Sequence, residues 1–283
     1  KPGIMFRDVS SLLLDADGYR TTIDRLAALV DPDTTLVAGI EARGFIVASG
    51  IAYAVSTGIW GDTNIINVSS ENFNLLLILV ISFLAGPIFG LIAILYMKSL
   101  LFFAKLASSD KLSVFFKYLI GVLSLSIIGH FMPEVMGLGA ETVTGVLNSS
   151  YTLIFLVIIL IGKILATSIS LNFGFFGGVF SPAILVGAAA GAVVSTFLVT
   201  VGIFEDFQQA FVISGIAAVA GAVIGAPICM VIIVLELTNS YAYALASLVG
   251  LAISVGYVQV RFGSSYFDVQ LLNRGIDISD GRT

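Results

Sequence analysis

Residues 172–182 read Asn172-Phe-Gly-Phe-Phe-Gly-Gly-Val-Phe-Ser-Pro182, placing three glycines and a proline in the middle of 41 uncharged residues between Lys163 and Glu205. About 20 apolar residues in a helix cross the ~30 Å hydrocarbon core of a bilayer, so this stretch lies at membrane depth. Glycine and proline break helices, and a non-helical backbone at that depth is tolerated only where protein or a water-filled cavity surrounds it. Pro182 suits the first turn of a following helix, whose N-terminal end carries free N–H groups and a partial positive charge. Such an end can hold an anion without a basic side chain. The alternative is a kink, or close helix packing through small residues.

A second break follows at Gly221-Ala-Val-Ile-Gly-Ala-Pro227, where Gly225 and Pro227 again lead into an apolar helix. Paired Gly/Pro-interrupted hydrophobic segments are the pattern of transporter folds with discontinuous helices. Glu236, in Leu235-Glu-Leu-Thr-Asn239, is an intramembrane acid and so a functional candidate. Its place near the end of its span favours a cap or interfacial role.

The flanking sequence has the same character. Uncharged runs of 26, 29 and 24 residues separate Glu71 from Lys98, Asp206 from Glu236 and Glu236 from Arg261. None has a polar face wide enough for a water-soluble helix. Helices are expected near residues 73–103, 113–131, 151–170, 183–202, 207–235 and 240–260. The whole chain is 58% hydrophobic with a mean hydropathy of +1.07. Its 31 charges divide unevenly: 13 fall in residues 1–62 and only 18 in residues 63–283. A soluble-type segment therefore precedes a membrane-type one. The net charge of −5 offers no basic patch for nucleic acid. One cysteine, Cys229, excludes a disulfide framework and a cysteine metal site. His130 has no second ligand and reads as a helix-end residue, so no metal and no cofactor is expected.

Gly177-Gly178-Val179-Phe180-Ser181-Pro182 resembles the Gly-x-Phe-x-Pro motif of the CLC family of chloride channels and chloride/proton antiporters. Ala220–Tyr241 is similar to later helices of that family. Ser265-Tyr266 is placed like its pore-lining tyrosine, and Asn74–Leu106, with Gly86-Pro87-Ile88-Phe89-Gly90, like the helix closing its first half. The resemblance covers about residues 72–276. It implies a mainly α, polytopic membrane protein, the second inverted repeat of a CLC-type fold. It implies chloride as the transported ligand, held by the backbone N–H groups of Val179 and Phe180 and by the Tyr266 hydroxyl. Gly177, Gly178, Ser181 and Pro182 would form the pore loop and helix start. A homodimer with one pore per protomer, in a lipid bilayer (a prokaryotic inner membrane), is implied too.

The departures bear on mechanism. The family's Gly-Ser-Gly-x-Pro serine and Gly-Arg-Glu-Gly-Pro gating glutamate belong to motifs that do not occur in this sequence. Half of the ion site is then missing, as is the antiporters' proton-path glutamate. Autonomous chloride transport is not expected, and channel and antiporter stay open as alternatives. Lys98, Lys105, Lys111 and Lys117 cluster between the first two spans and would be cytoplasmic by the positive-inside rule. The family arrangement instead puts Arg261, Arg274 and Arg282 inside. The motif order outweighs this small bias. The tail after Asp268 reads as the exit toward a cytoplasmic regulatory domain.

Residues 1–55 tell a different story. Apolar residues at helical spacing in Tyr19–Val30, a turn at Pro32-Asp33, the apolar run Thr35–Ile40 and Glu41-Ala-Arg-Gly44 suggest the start of an α/β domain. Lys1-Pro-Gly-Ile-Met-Phe-Arg-Asp-Val9 and Val37-Ala-Gly-Ile-Glu-Ala-Arg-Gly-Phe45 resemble adenine phosphoribosyltransferase. The resemblance puts Ala42–Gly44 at the substrate's diphosphate side and Arg7 in the purine-side block. The enzyme's phosphate-cradling loop, two acids followed by Ala-Thr-Gly-Gly-Thr, is absent from the sequence, and an inactive, truncated α/β stub is expected. The divisions expected are 1–55 for the stub, 56–71 for the junction, 72–263 for the membrane domain, and 264–283 for the final pore helix and the start of the tail. A chain beginning at Lys1 rather than Met is expected to be a fragment, and a joined reading frame is the simplest account of its junction. A phosphoribosyltransferase fragment with a hydrophobic tail, or a chimera with neither activity, are the rival readings.

Overall fold

The computed structural model describes residues 75–108, 113–175, 177–202 and 208–273, together with residues 20, 21, 24, 25 and 28. The chain divides into two compact units, Lys1–Ile65 and Ile66–Thr283. In the first, residues 20, 21, 24 and 25 are helical, inside the stretch where a helix is expected. The apolar run Thr35–Ile40, which reads as a short buried strand, the Ala42–Gly44 loop and the 56–71 junction lie outside the described residues.

The second unit is helical. Its elements are α1 (Leu75–Ala107), α2 (Val114–Phe131), a 3-10 turn (Pro133–Val135), α3 (Ala140–Leu147), α4 (Leu153–Asn172), α5 (Phe180–Thr200), α6 (Gln208–Ile224), α7 (Pro227–Thr238), α8 (Tyr241–Arg261) and α9 (Tyr266–Asn273). No strand occurs among the described residues. Five helical stretches among them are long and apolar enough to cross a membrane: α1, α2, α4, α5 and the α8–α9 segment. Two differences from the sequence expectation stand out. The span at 207–235 is two helices, because Gly225 takes a left-handed φ of +79° and Pro227 starts a new helix. The short helix α3, opened by Gly139 at φ +78°, has too few residues to show a period.

Burial arranges these helices around α6, in which every residue from Ala210 to Val223 is buried. A helix apolar on all sides belongs in such a centre. It packs antiparallel against α5 through Gly187, Gly191 and Gly215: a Cβ on Gly187 would meet the Gly215 carbonyl, and one on Gly191 the Phe211 carbonyl. Small residues let helix backbones approach where lipid supplies no hydrophobic drive. On the other side α1 runs parallel to α8, with Gly86 facing Ile253 and Gly90 facing the Ser254 carbonyl. Pro87 removes one ladder bond inside α1, a loss tolerated in a packed membrane helix. In α2 the pattern inverts: only Gly121 is buried, while Phe115, Phe116, Leu123 and Ile127 are exposed. Such an apolar outer face suits an apolar surrounding rather than water.

Candidate anion site

The break ahead of α5 is built from both sides. On α4 the last turn ends with the Phe173 N–H donating to the Ile169 carbonyl, and Gly174 turns the chain at φ +102° beneath the Tyr118 ring. Residues 173–175 and 177–179 are non-helical, as the glycines lead one to expect. Val179 is then the N-cap of α5, with no side chain capping the helix. Its carbonyl accepts the first helical bond from the Ala183 N–H at 3.0 Å. Pro182 falls in the first turn, where its missing N–H costs nothing.

The strap at residues 135–138, between α2 and α3, closes over this start. Lys163 Nζ, on α4, donates to the Val135 carbonyl at 2.9 Å and the Gly137 carbonyl at 2.8 Å. Ser181 Oγ donates to the Leu138 carbonyl at 2.8 Å. Lys163 is 2% exposed, and no carboxylate among the described residues pairs with it. Between strap and helix lies a cavity of about 480 Å³, whose polar lining includes Lys163, Thr167, Ser170 and Ser181.

The sequence-expected residues fall into two neighbouring groups. Gly177, Gly178, Phe180, Ser181 and Pro182 line the cavity. Val179 turns inward, 7% exposed, outside that lining. Gly225, Pro227 and Tyr266 form the second group: a Cβ on Gly225 would lie 2.7 Å from Ser265 Cβ, beside the start of α9. Any side chain there would meet both that contact and the positive φ, so glycine is required. Tyr266 is 3% exposed, and its hydroxyl accepts a bond from Gln270 Nε2 at 2.7 Å, which leaves its own proton to donate.

Tyr96 of α1, fully buried, joins the groups. Its hydroxyl donates to the Val179 carbonyl at 3.4 Å and lies within electrostatic reach of Tyr266. Neither Tyr96 nor Lys163 is flagged by the sequence motifs. Lys163 left a signal, as the lone charge between Glu141 and Glu205. Tyr96 left none. Glu236 is exposed on α7 and does not line the cavity, while Asn239 closes that helix in the left-handed conformation. His130 sits at the end of α2 as expected, and no metal-type cluster occurs among the described residues.

Broken, closely packed apolar helices, five of the described stretches long enough to span a bilayer, define a polytopic membrane protein. Residues 42–259 match the family model described as voltage gated chloride channel, and the chain belongs to that family. The H(+)/Cl(-) exchange transporter ClcA of Vibrio vulnificus is 28% identical over 251 residues, covering 84% of this chain and 52% of its own length. The solved structure of a slow cyanobacterial Cl-/H+ antiporter shares the fold, with a TM-score of 0.70 at 21% identity, over 82% of this chain and 55% of that one. The adenine phosphoribosyltransferase of a Synechococcus strain is 48% identical over 59 residues, 20% of this chain and 34% of its own. The chain thus spans about half the length of the curated transporters it matches.

Proposed function

We propose that this chain supplies the second-repeat half of a chloride-handling site in a multi-pass membrane protein, with transport belonging to the whole protein of which that half is part. Chloride is the ligand, the N–H groups of Val179 and Phe180 and the hydroxyl of Tyr266 are its donors, and Gly177, Gly178, Ser181 and Pro182 shape the approach. The observation that carries this reading is the start of α5: a helix end without a side-chain cap that opens, inside the bilayer, onto a cavity of about 480 Å³. Its dipole concentrates roughly half a positive charge there. The donors are backbone groups, which fits a segment so poor in basic side chains. Whether the protein conducts or exchanges chloride for protons depends on groups outside this half. A homodimer, a prokaryotic inner membrane and the domain limits given above belong to the same proposal.

Val179→Pro tests it. Val179 has φ −85°, which proline nearly adopts, and as N-cap its N–H serves no helical bond. The substitution deletes one donor with little strain. Calorimetric titration of the detergent-purified chain with potassium chloride should show at least a tenfold loss of affinity while cooperative unfolding is retained. Equal affinity in the variant and the parent would sink the assignment.

The N-terminal match to phosphoribosyltransferases favours a second reading for residues 1–55. We infer that this segment is catalytically inactive, because the loop that would cradle the substrate phosphates is absent from the sequence. Incubation of the full chain with adenine and phosphoribosyl pyrophosphate should release no pyrophosphate above the uncatalysed rate. Adenine-dependent release would overturn that inference.

A further inference from the structure

Tyr96 lies 83 residues from Val179 in sequence, yet its hydroxyl is directed at the carbonyl of the α5 N-cap. The contact, 3.4 Å long, is weaker than an ordinary O–H···O bond of about 2.7–2.8 Å. Its value is therefore directional rather than energetic. In a trans peptide the C=O and the following N–H point in opposite directions, and no cis bond occurs among the described residues. The Ala183 N–H holds the Val179 carbonyl along the helix axis at 3.0 Å, and the Tyr96 hydroxyl adds a second donor from the side, which restricts the tilt of the peptide and with it the direction of the Phe180 N–H at the open helix end.

The ring is itself held in place. Two polar bonds clamp α1 to α4 just beyond Tyr96: Ser99 Oγ to Ser168 Oγ at 2.9 Å, and Asn172 Nδ2 to the Leu100 carbonyl at 3.2 Å. Thr167 of α4, which lines the cavity, lies near the Tyr96 hydroxyl. A fully buried side chain on a helix so tied to its neighbour has little freedom of orientation, which is the condition for positioning a neighbouring group.

We propose that Tyr96 is a positioning residue of the anion site, aligning the Val179–Phe180 peptide so that its N–H meets the ion and matches the radius of chloride. The inference rests on the chloride reading given above. Tyr96→Phe keeps the ring and deletes the hydroxyl. Titrations of the full chain with potassium chloride and with potassium bromide read both affinity and selectivity. Y96F should raise the chloride Kd about three- to fivefold, the lower part of what one hydrogen bond supplies. Because a loosened peptide fits the larger ion less badly, the chloride-over-bromide ratio should fall as well. A purely packing role for the hydroxyl moves stability, not that ratio. If the parent chain binds chloride and Y96F matches it within 1.5-fold in both Kd and ratio, the positioning role is overturned while the site stands. If the parent chain binds neither halide, the site and the role fall together. Should Y96F not fold, Thr167→Val is read by the same titrations, and parental values there overturn the proposal.

Discussion

Gly191→Val is expected to lower the unfolding stability of the chain in detergent by about 3 kcal/mol, at the upper end of what overpacking usually costs. A Cβ at Gly191 would lie 2.6 Å from the Phe211 carbonyl carbon and 2.6 Å from Val212 Cα. These are backbone atoms of α6, which cannot rotate aside as a side chain can. Nor can α6 retreat, because Ala210–Val223 are buried on every face. The same seam carries Gly187 against the Ile216 backbone and Gly215 against Gly191, so relief at one point opens the whole crossing. A Gly256→Ala variant provides the contrast. No atom lies within 4 Å of a Cβ there, and replacing a helical glycine with alanine should be neutral or stabilising by up to about 1 kcal/mol. Denaturation in sodium dodecyl sulfate measures both variants. Similar midpoints for the two would mean that the glycine seam does not hold α5 against α6.

That seam also marks what the sequence could and could not reveal. The break at 172–182 is legible because glycine and proline act on their own backbone, whatever surrounds them. The run Gly187–Ala192 announces close packing because its side chains are small enough to admit another backbone, although it does not say that α6 is the partner. The division of 207–235 is harder to see: Gly225 and Pro227 are visible, but no charge separates the helices they end and begin, so hydropathy joins them. Contacts across long separations are invisible to any local pattern. Tyr96 reads as one more apolar position of α1 until Val179 is found against its hydroxyl. Gly225 reads as a turn glycine until Ser265 is found 2.7 Å from where its Cβ would be. The motif residues were legible singly, and the side chains that organise them were not.

Lys163→Met should detach the strap at residues 135–138 from α4 and cost about 2 kcal/mol, read as a lowered unfolding midpoint and faster amide exchange in residues 133–139. Two effects oppose each other. Burying an amino group in an apolar interior is itself unfavourable, and methionine removes that penalty. Against this, a buried carbonyl left without a donor costs about 1–3 kcal/mol. Both residues border the cavity, but Val135 is 1% exposed, so its carbonyl is poorly placed for hydration, whereas Gly137 is exposed and readily hydrated. The loss at Val135 therefore decides the sign. Lys163→Arg keeps donors in the same place and has a cavity of about 480 Å³ to extend into, so its midpoint should stay within half of the methionine shift. Ser181 still holds the Leu138 carbonyl in both variants, which confines the change to the strap and spares the α5 start. Parental exchange rates at 133–139 in the methionine variant would show that Ser181 alone holds the strap, and that the lysine is in the membrane for another purpose.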